Sequence, residues 1–124
     1  MQILMVFSEF SRRIASLLCL TVIRSSGSSA NHASMTDLEL FARLIQCEAG
    51  GEGDNGMKAV ASVVMNRVRT SVGEYGRYNT IPAVIYQDGQ FNCVRTRLSG
   101  RTNLQNVYNM NPTNVHYEIA EWAM

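Results

Sequence analysis

The stretch LIQCEAGGEG, Leu44–Gly53, joins the end of a predicted helix to a glycine-rich turn and carries two glutamates. Glu48 continues an apolar stripe that recurs at helical spacing, so its side chain is expected on the face that packs on the core. Gly50 and Gly51 are expected to end the helix. The stripe consists of Leu38, Phe41, Ala42, Leu44 and Ile45.

The chain around this stretch predicts a mainly helical fold. Thr36 and Glu39, spaced as a capping box, predict that the first helix begins just after Thr36. A second helix, capped by Asp54 or Asn55, is predicted to run to about Arg69. Its inner stripe is Met57, Val60, Ala61, Val64 and Val68, widened by Ala59 and Val63.

The second half of the chain predicts two further helices and little strand. Thr80 followed by Pro82 predicts a short helix over residues 81–87. The sequence QFNCV, residues 90–94, is expected to start a strand or hairpin, and residues 106–108 a short strand. A last helix opens at Asn111 and Pro112, and the residues predicted to face inward are Val115, Ile119 and Trp122. The predicted class is α+β, mainly helical, in a single compact domain with a short hairpin.

Composition excludes some partners. The 124 residues carry a net charge of +1, too little for binding nucleic acid or an anionic membrane through bulk charge. Residues 1–34 are a leader, in which Arg12 and Arg13 precede a short apolar run, as in a secretory signal peptide. That run is too short to span a bilayer comfortably. The alternatives are a disordered leader or a functional chain that starts at Met35, so the compartment stays open. The domain is assigned to residues 35–124.

Glu48 is the strongest candidate for chemistry. A carboxyl on an apolar stripe loses hydration, which would raise its pKa and keep it protonated for use as a general acid. Cleavage of a glycosidic bond uses such an acid. The alternative is a solvated glutamate at a fraying helix end. Glu52 is the natural second carboxylate, and its alternative is a charge in the first turn of the second helix, where it favours the helix dipole.

Three short motifs follow one another along the chain, and their order is informative about the family. Glu-Ala-x-Gly-Glu begins at Glu48, Val-x-x-Asn-Arg-Val contains Asn66 and Arg67, and Val-Ile-Tyr-Gln-x-Gly-Gln-Phe ends at Phe91. Together they resemble the bacterial cell-wall hydrolase family of the spore cortex-lytic enzymes. The similarity covers about residues 36–94, with a looser echo over residues 111–124.

The resemblance implies a lysozyme-like or lytic-transglycosylase-like domain that cuts peptidoglycan glycan strands between N-acetylmuramic acid and N-acetylglucosamine. It implies Glu48 as the catalytic acid. We expect no cofactor and no metal. Residues expected to bind substrate are Glu52, Asn66, Tyr86, Gln90 and Phe91. Core packing is the alternative for Phe91, and at most one of Asn66 and Arg67 is expected to face the cleft. Glu52 is the candidate base if water is the nucleophile, so hydrolysis and transglycosylation both stay open.

The chain also departs from this family. Residues 70–79 form a longer loop than expected, and the chain ends at Met124, where a short aromatic- and asparagine-containing segment usually follows. The chain is therefore interpreted as a candidate C-terminal truncation. The alternative function is a non-catalytic peptidoglycan-binding or phage-associated module on the same scaffold. In either case we expect a monomer, in a spore, vegetative or phage setting that stays open.

The cysteines and histidines allow rival interpretations. A metal set of His32, Cys47, Cys93 and His116 lacks ligand spacing. Cys47 has no histidine placed to activate it as a nucleophile and is expected to be a buried free cysteine. A disulfide from Cys47 to Cys93 is the alternative, if the helix end meets the Gln-Phe segment.

Overall fold

A computed structural model of the chain describes residues 35–70 and 77–124. The leader, residues 1–34, and most of the loop predicted to be long lie outside the described residues. The described elements are helices α1 (Asp37–Ala49), α2 (Gly53–Arg69), α3 (Ile81–Ile85) and α4 (Asn114–Ala123), a 3₁₀ turn (Asn92–Val94), and strands β1 (Arg97–Leu98) and β2 (Arg101–Thr102). This confirms the mainly helical α+β prediction.

Helix α1 begins where the sequence predicts, because the Thr36 hydroxyl accepts a hydrogen bond from the Glu39 backbone N–H at 3.1 Å. The Glu39 carboxylate pairs with Arg43, 2.9 Å from its Nη2. The predicted stripe forms the centre of the core, since Phe41, Ala42, Leu44 and Ile45 are fully buried. α1 packs against α2, α3 and α4.

Helix α2 begins two to three residues earlier than the predicted caps, Asp54 and Asn55, would place it. Glu52 occupies the N-cap position, and Gly53 follows with φ of +72°, a left-handed conformation that favours glycine. Its inner face buries Met57, Val60, Ala61 and Val64 as predicted, together with Gly56 and Met65.

Strand pairing differs from the prediction in place. Residues 92–94 form the 3₁₀ turn, and the hairpin comes later, with Arg97 paired to Thr102 and Leu98 to Arg101. The predicted strand at residues 106–108 is wrong, because Asn106 directs a turn instead. Its buried side-chain oxygen accepts the backbone N–H groups of Tyr108 and Asn109, which a strand would turn towards a neighbour.

The inward face predicted for the last helix is confirmed for Ile119 but wrong for Val115 and Trp122. Trp122 is 60% exposed and Val115 is exposed as well. The buried face is His116, Ile119, Ala120 and Ala123. The alanines permit close contact with α1 and α2, while the Trp122 ring lies beneath the Lys58 ammonium, 5.5 Å from its centre.

The segment between the hairpin and α4 is held by side chains of α1. Arg43 donates to the carbonyl oxygens of Val107 at 3.0 Å and Met110 at 2.6 Å, and Gln46 to that of Asn111 at 3.1 Å. These bonds satisfy backbone oxygens that have no partner within a helix or sheet. Within the described residues, no helix is long and apolar enough to cross a membrane.

Candidate active site

Glu48 lies in the last turn of α1, half-buried between the buried Cys47 and Ala49. The helix ends at Gly50, whose N–H bonds to the Gln46 carbonyl at 2.9 Å. A Cβ at Gly50 would approach the Gln46 oxygen to 2.5 Å, so glycine is required for this ending. The next glycine, Gly51, has open space where a Cβ would project. Glu48 therefore lies at the edge of the core, close in sequence to a glycine, Gly51, beside which no atom of the described residues blocks the surface.

A disulfide joins the end of α1 to the 3₁₀ turn. Cys47 and Cys93 are bonded, with their Cα atoms 6.3 Å apart, so the interpretation of Cys47 as a free cysteine is wrong. The end of α1 and the Gln-Phe segment do meet, and this was the condition for the alternative prediction of a Cys47–Cys93 disulfide. The disulfide also removes both thiolates from the rival metal set.

Arg67 connects α2 to the turn that follows α3. Its Nη1 donates to the side-chain oxygen of Gln90, and its Nη2 donates to that of Gln87 at 2.5 Å. The two glutamines are adjacent in space because the Gln90 N–H bonds to the Gln87 carbonyl at 3.1 Å. Of the neighbours Asn66 and Arg67, it is Arg67 that faces this turn. Asn66 is exposed on α2.

Two tyrosines meet beside the same turn. The Tyr108 hydroxyl donates to the Tyr86 hydroxyl at 3.2 Å. Burial, together with this contact, raises the pKa of Tyr108 far above its ordinary value of 10.0, so the phenol stays protonated. Tyr86 is 39% exposed and offers part of its ring at the surface.

The remaining predicted site residues differ in accessibility. Glu52 is half-buried at the N-cap of α2, and its Oε2 is buried without a hydrogen-bond partner among the described residues. Phe91 is 3% exposed and belongs to the hydrophobic core, which agrees with the packing alternative. Gln90 is 6% exposed and is held by Arg67.

Sequence reasoning assigned no role to Gln87 or Tyr108. Gln87 lies within the third motif, so the motif could have identified it as a candidate site residue. Tyr108 lies in a polar segment without periodicity, and only the fold brings it to Tyr86. The arrangement as a whole combines two half-buried carboxyls, those of Glu48 and Glu52, with amide, guanidinium and phenol groups. Such groups suit acid–base chemistry on a neutral, hydroxyl-rich substrate.

Comparison with known proteins supports the same family. The model of the cell wall hydrolase family matches residues 51–124, more than half of the chain. The chain belongs to the cell wall hydrolase family. This confirms the resemblance predicted from the three motifs. The matched region contains Glu52, Arg67 and the Gln87–Gln90 turn, and it begins three residues after Glu48.

Curated relatives agree over part of their length. The chain is 40% identical over 62 residues to the cell wall hydrolase CwlJ of Bacillus subtilis, covering 50% of this chain and 44% of that protein. It is 41% identical over 51 residues to CwlJ of Halalkalibacterium halodurans, covering 41% of this chain and 36% of that protein. The chain thus covers less than half of the length of these relatives. No solved structure matches the chain.

Proposed function

We propose that this member of the cell wall hydrolase family cleaves peptidoglycan glycan strands between N-acetylmuramic acid and N-acetylglucosamine, with Glu48 as the general acid. The observation that carries the proposal is the position of Glu48, half-buried at the carboxyl end of α1 beside an unobstructed glycine. A general acid must enter the reaction protonated, and Glu48 is the carboxyl that we propose for this role.

The proposed reaction needs one carboxyl group. Glu48 donates its proton to the bridging glycosidic oxygen as the bond from that oxygen to C1 of N-acetylmuramic acid breaks. The resulting carboxylate then accepts the proton of the 6-hydroxyl on the same muramic acid, whose oxygen bonds to C1 and closes an anhydro ring. Glu48 ends the cycle protonated. The alternative is hydrolysis, in which water attacks C1 and Glu52 is the base.

Substrate contacts are proposed for the groups around this carboxyl. Gln90 offers an amide to an acetamido group, and the exposed part of Tyr86 offers a ring face to a sugar. Glu52 and Asn66 are proposed to border the glycan on the α2 side. Phe91 is buried in the hydrophobic core, and its proposed contribution is to pack there next in sequence to Gln90.

Paired isosteric variants test the proposal. Glu48→Gln should lower the release of soluble fragments from purified peptidoglycan by at least about 100-fold, because general acid catalysis contributes about that much or more. Binding of the variant to peptidoglycan should persist. Equal release by the wild type and Glu48→Gln contradicts the role of Glu48. Binding without release by the wild type favours a non-catalytic peptidoglycan-binding module.

The products separate the two mechanisms. Mass spectrometry should find anhydro-muramic ends, 18 Da lighter than reducing ends because no water is added. Glu52→Gln is the matched variant and should retain cleavage if the 6-hydroxyl is the nucleophile. Reducing ends, together with loss of activity in Glu52→Gln, would replace transglycosylation by hydrolysis with Glu52 as the base.

A further inference from the structure

Arg67 holds two glutamine side chains in one orientation. Its guanidinium contacts Oε1 of Gln87 at 2.5 Å and Oε1 of Gln90. A guanidinium has only N–H donors, so the oxygen of each amide must face it and the NH₂ group must turn away. Arginine also presents its donors in a rigid planar fork, which a lysine cannot reproduce.

The amide nitrogens fixed in this way have unused donors. Among the described residues, no hydrogen bond engages the side-chain Nε2 of Gln87 or of Gln90. Gln90 is almost wholly buried, so its side chain has little freedom to find a partner by rotation. Two adjacent and oriented N–H donors are therefore presented by one turn.

This turn is tied to the proposed catalytic carboxyl. Gln90 precedes Cys93 by three residues, and Cys93 is bonded to Cys47, the residue directly before Glu48. The Cα atoms of the two cysteines are 6.3 Å apart. We take a sugar whose glycosidic oxygen lies at Glu48 to extend towards the glutamine turn, since the disulfide holds that turn near the end of α1.

We propose that Arg67 is a positioning residue for substrate specificity, which fixes Gln87 and Gln90 as paired donors for the carbonyl oxygen of an N-acetyl group. The ligand class is an N-acetylated amino sugar, and the inference rests on the proposed function. A carbonyl oxygen has two lone pairs and accepts two N–H donors. A free amino sugar carries an ammonium instead, which offers only donors and is rejected.

Glutamine-to-glutamate variants separate recognition from structure. Gln90→Glu and Gln87→Glu keep an oxygen for Arg67 and form an ion pair with it, but they replace the NH₂ group that turns away from Arg67 by an oxygen. The probes are peptidoglycan strands and the same strands after chemical de-N-acetylation. For the wild type we expect a lower KM on the N-acetylated strands. In each variant this preference should fall about 10-fold, the effect of one hydrogen bond, with kcat within about twofold.

Arginine variants in the same helix supply the control. Arg67→Met should lower the same preference, and Arg67→Lys should restore only part of it. Arg69→Met removes bonds to the carbonyls of Ala123 and Met124, and should lower the urea midpoint while leaving the preference unchanged. All variants are tested as the full chain.

The outcomes distinguish this inference from the proposed function. Cleavage by the wild type, with an unchanged N-acetyl preference in Gln87→Glu and Gln90→Glu, overturns the inference and leaves the proposed function standing. Absence of both cleavage and peptidoglycan binding by the wild type overturns both. The N-acetyl preference could also fall only in arginine variants whose urea midpoint falls, while both glutamate variants keep it. That result would assign Arg67 a structural role only and overturn the inference.

Discussion

Cys47 and Cys93, 46 residues apart in sequence, are joined by a disulfide that fixes the end of α1 to the turn beyond Gln90. The residue after Cys47 is Glu48, and both cysteines are buried. The bond therefore joins the helix that carries the proposed catalytic carboxyl to the turn that follows the proposed recognition groups. It also suits an oxidising compartment, in which such bonds persist.

Removal of this disulfide should destabilise the protein. In Cys47→Ala/Cys93→Ala we expect the free energy of unfolding in urea to fall by roughly 4 kcal/mol, because the closed loop no longer restricts the unfolded chain. Dithiothreitol should have a similar effect on the wild type and none on the double variant. Equal urea midpoints for the wild type with and without dithiothreitol would show that the bond contributes nothing to stability.

Arg43 is predicted to be the main anchor of the segment that precedes α4. Arg43→Met removes its donors to the carbonyls of Val107 and Met110, which should lower the free energy of unfolding by about 2–3 kcal/mol. Hydrogen exchange at the backbone of residues 107–110 should accelerate. The segment carries Tyr108, so loss of its anchor should also loosen the contact with Tyr86.

Glu39→Gln is the matched control for Arg43. It removes the surface ion pair with Arg43 but leaves the bonds to the carbonyl oxygens, so we expect a loss below about 1 kcal/mol in urea. If Glu39→Gln and Arg43→Met prove equally destabilising, the ion pair and not the anchoring of the segment is the main contribution of Arg43.

The first two helices were predictable because their signals are local. Thr36 caps α1, and the stripes of α1 and α2 have a period that only a helix satisfies. The position of Glu48 at the end of such a stripe followed from the same period. The same reasoning misplaced the buried face of α4, because it relied on the large apolar Trp122 and not on the small Ala120 and Ala123. Small residues, which allow close helix contact, formed the buried face instead.

The contacts that build the candidate site were not predictable from spacing. Arg67 meets Gln87 and Gln90 across 20 and 23 residues, and Tyr108 meets Tyr86 across 22. Each contact depends on the packing of elements that the sequence specifies separately. The disulfide is of the same kind, because three cysteines in a sequence do not reveal which two approach.

His116 is predicted to make the stability of the protein depend on pH. Burial lowers its pKa below the ordinary value of 6.5, and its Nδ1 accepts the Thr113 backbone N–H at 2.9 Å, which requires the unprotonated nitrogen. Below about pH 6.5 the unfolded chain binds a proton that the folded protein does not, so stability falls as the pH falls. We expect the urea midpoint to decrease between pH 7.5 and pH 5.

His116→Asn is the control for this pH effect. The asparagine side-chain oxygen can accept the Thr113 N–H in place of Nδ1, but it does not titrate in this range. The variant should therefore show a smaller decrease in urea midpoint between pH 7.5 and pH 5 than the wild type. Parallel decreases in the two proteins would assign the pH dependence to carboxyl groups instead of His116.

The two glycines after Glu48 should respond differently to alanine. Gly50→Ala brings a Cβ within 2.5 Å of the Gln46 carbonyl, so the backbone must shift and we expect a loss of about 2 kcal/mol in urea. Gly51→Ala meets nothing within 4 Å and should leave stability within about 0.5 kcal/mol.

Gly51→Ala then reports whether sugar passes over this turn. If the glycan approaches the backbone there, the added methyl group occupies part of its path, and KM for peptidoglycan strands should rise severalfold while the urea midpoint stays unchanged. Release of soluble fragments at several strand concentrations gives KM and kcat separately. A KM equal to that of the wild type would mean that the strand reaches Glu48 from another direction, because a methyl group in its path cannot be without effect.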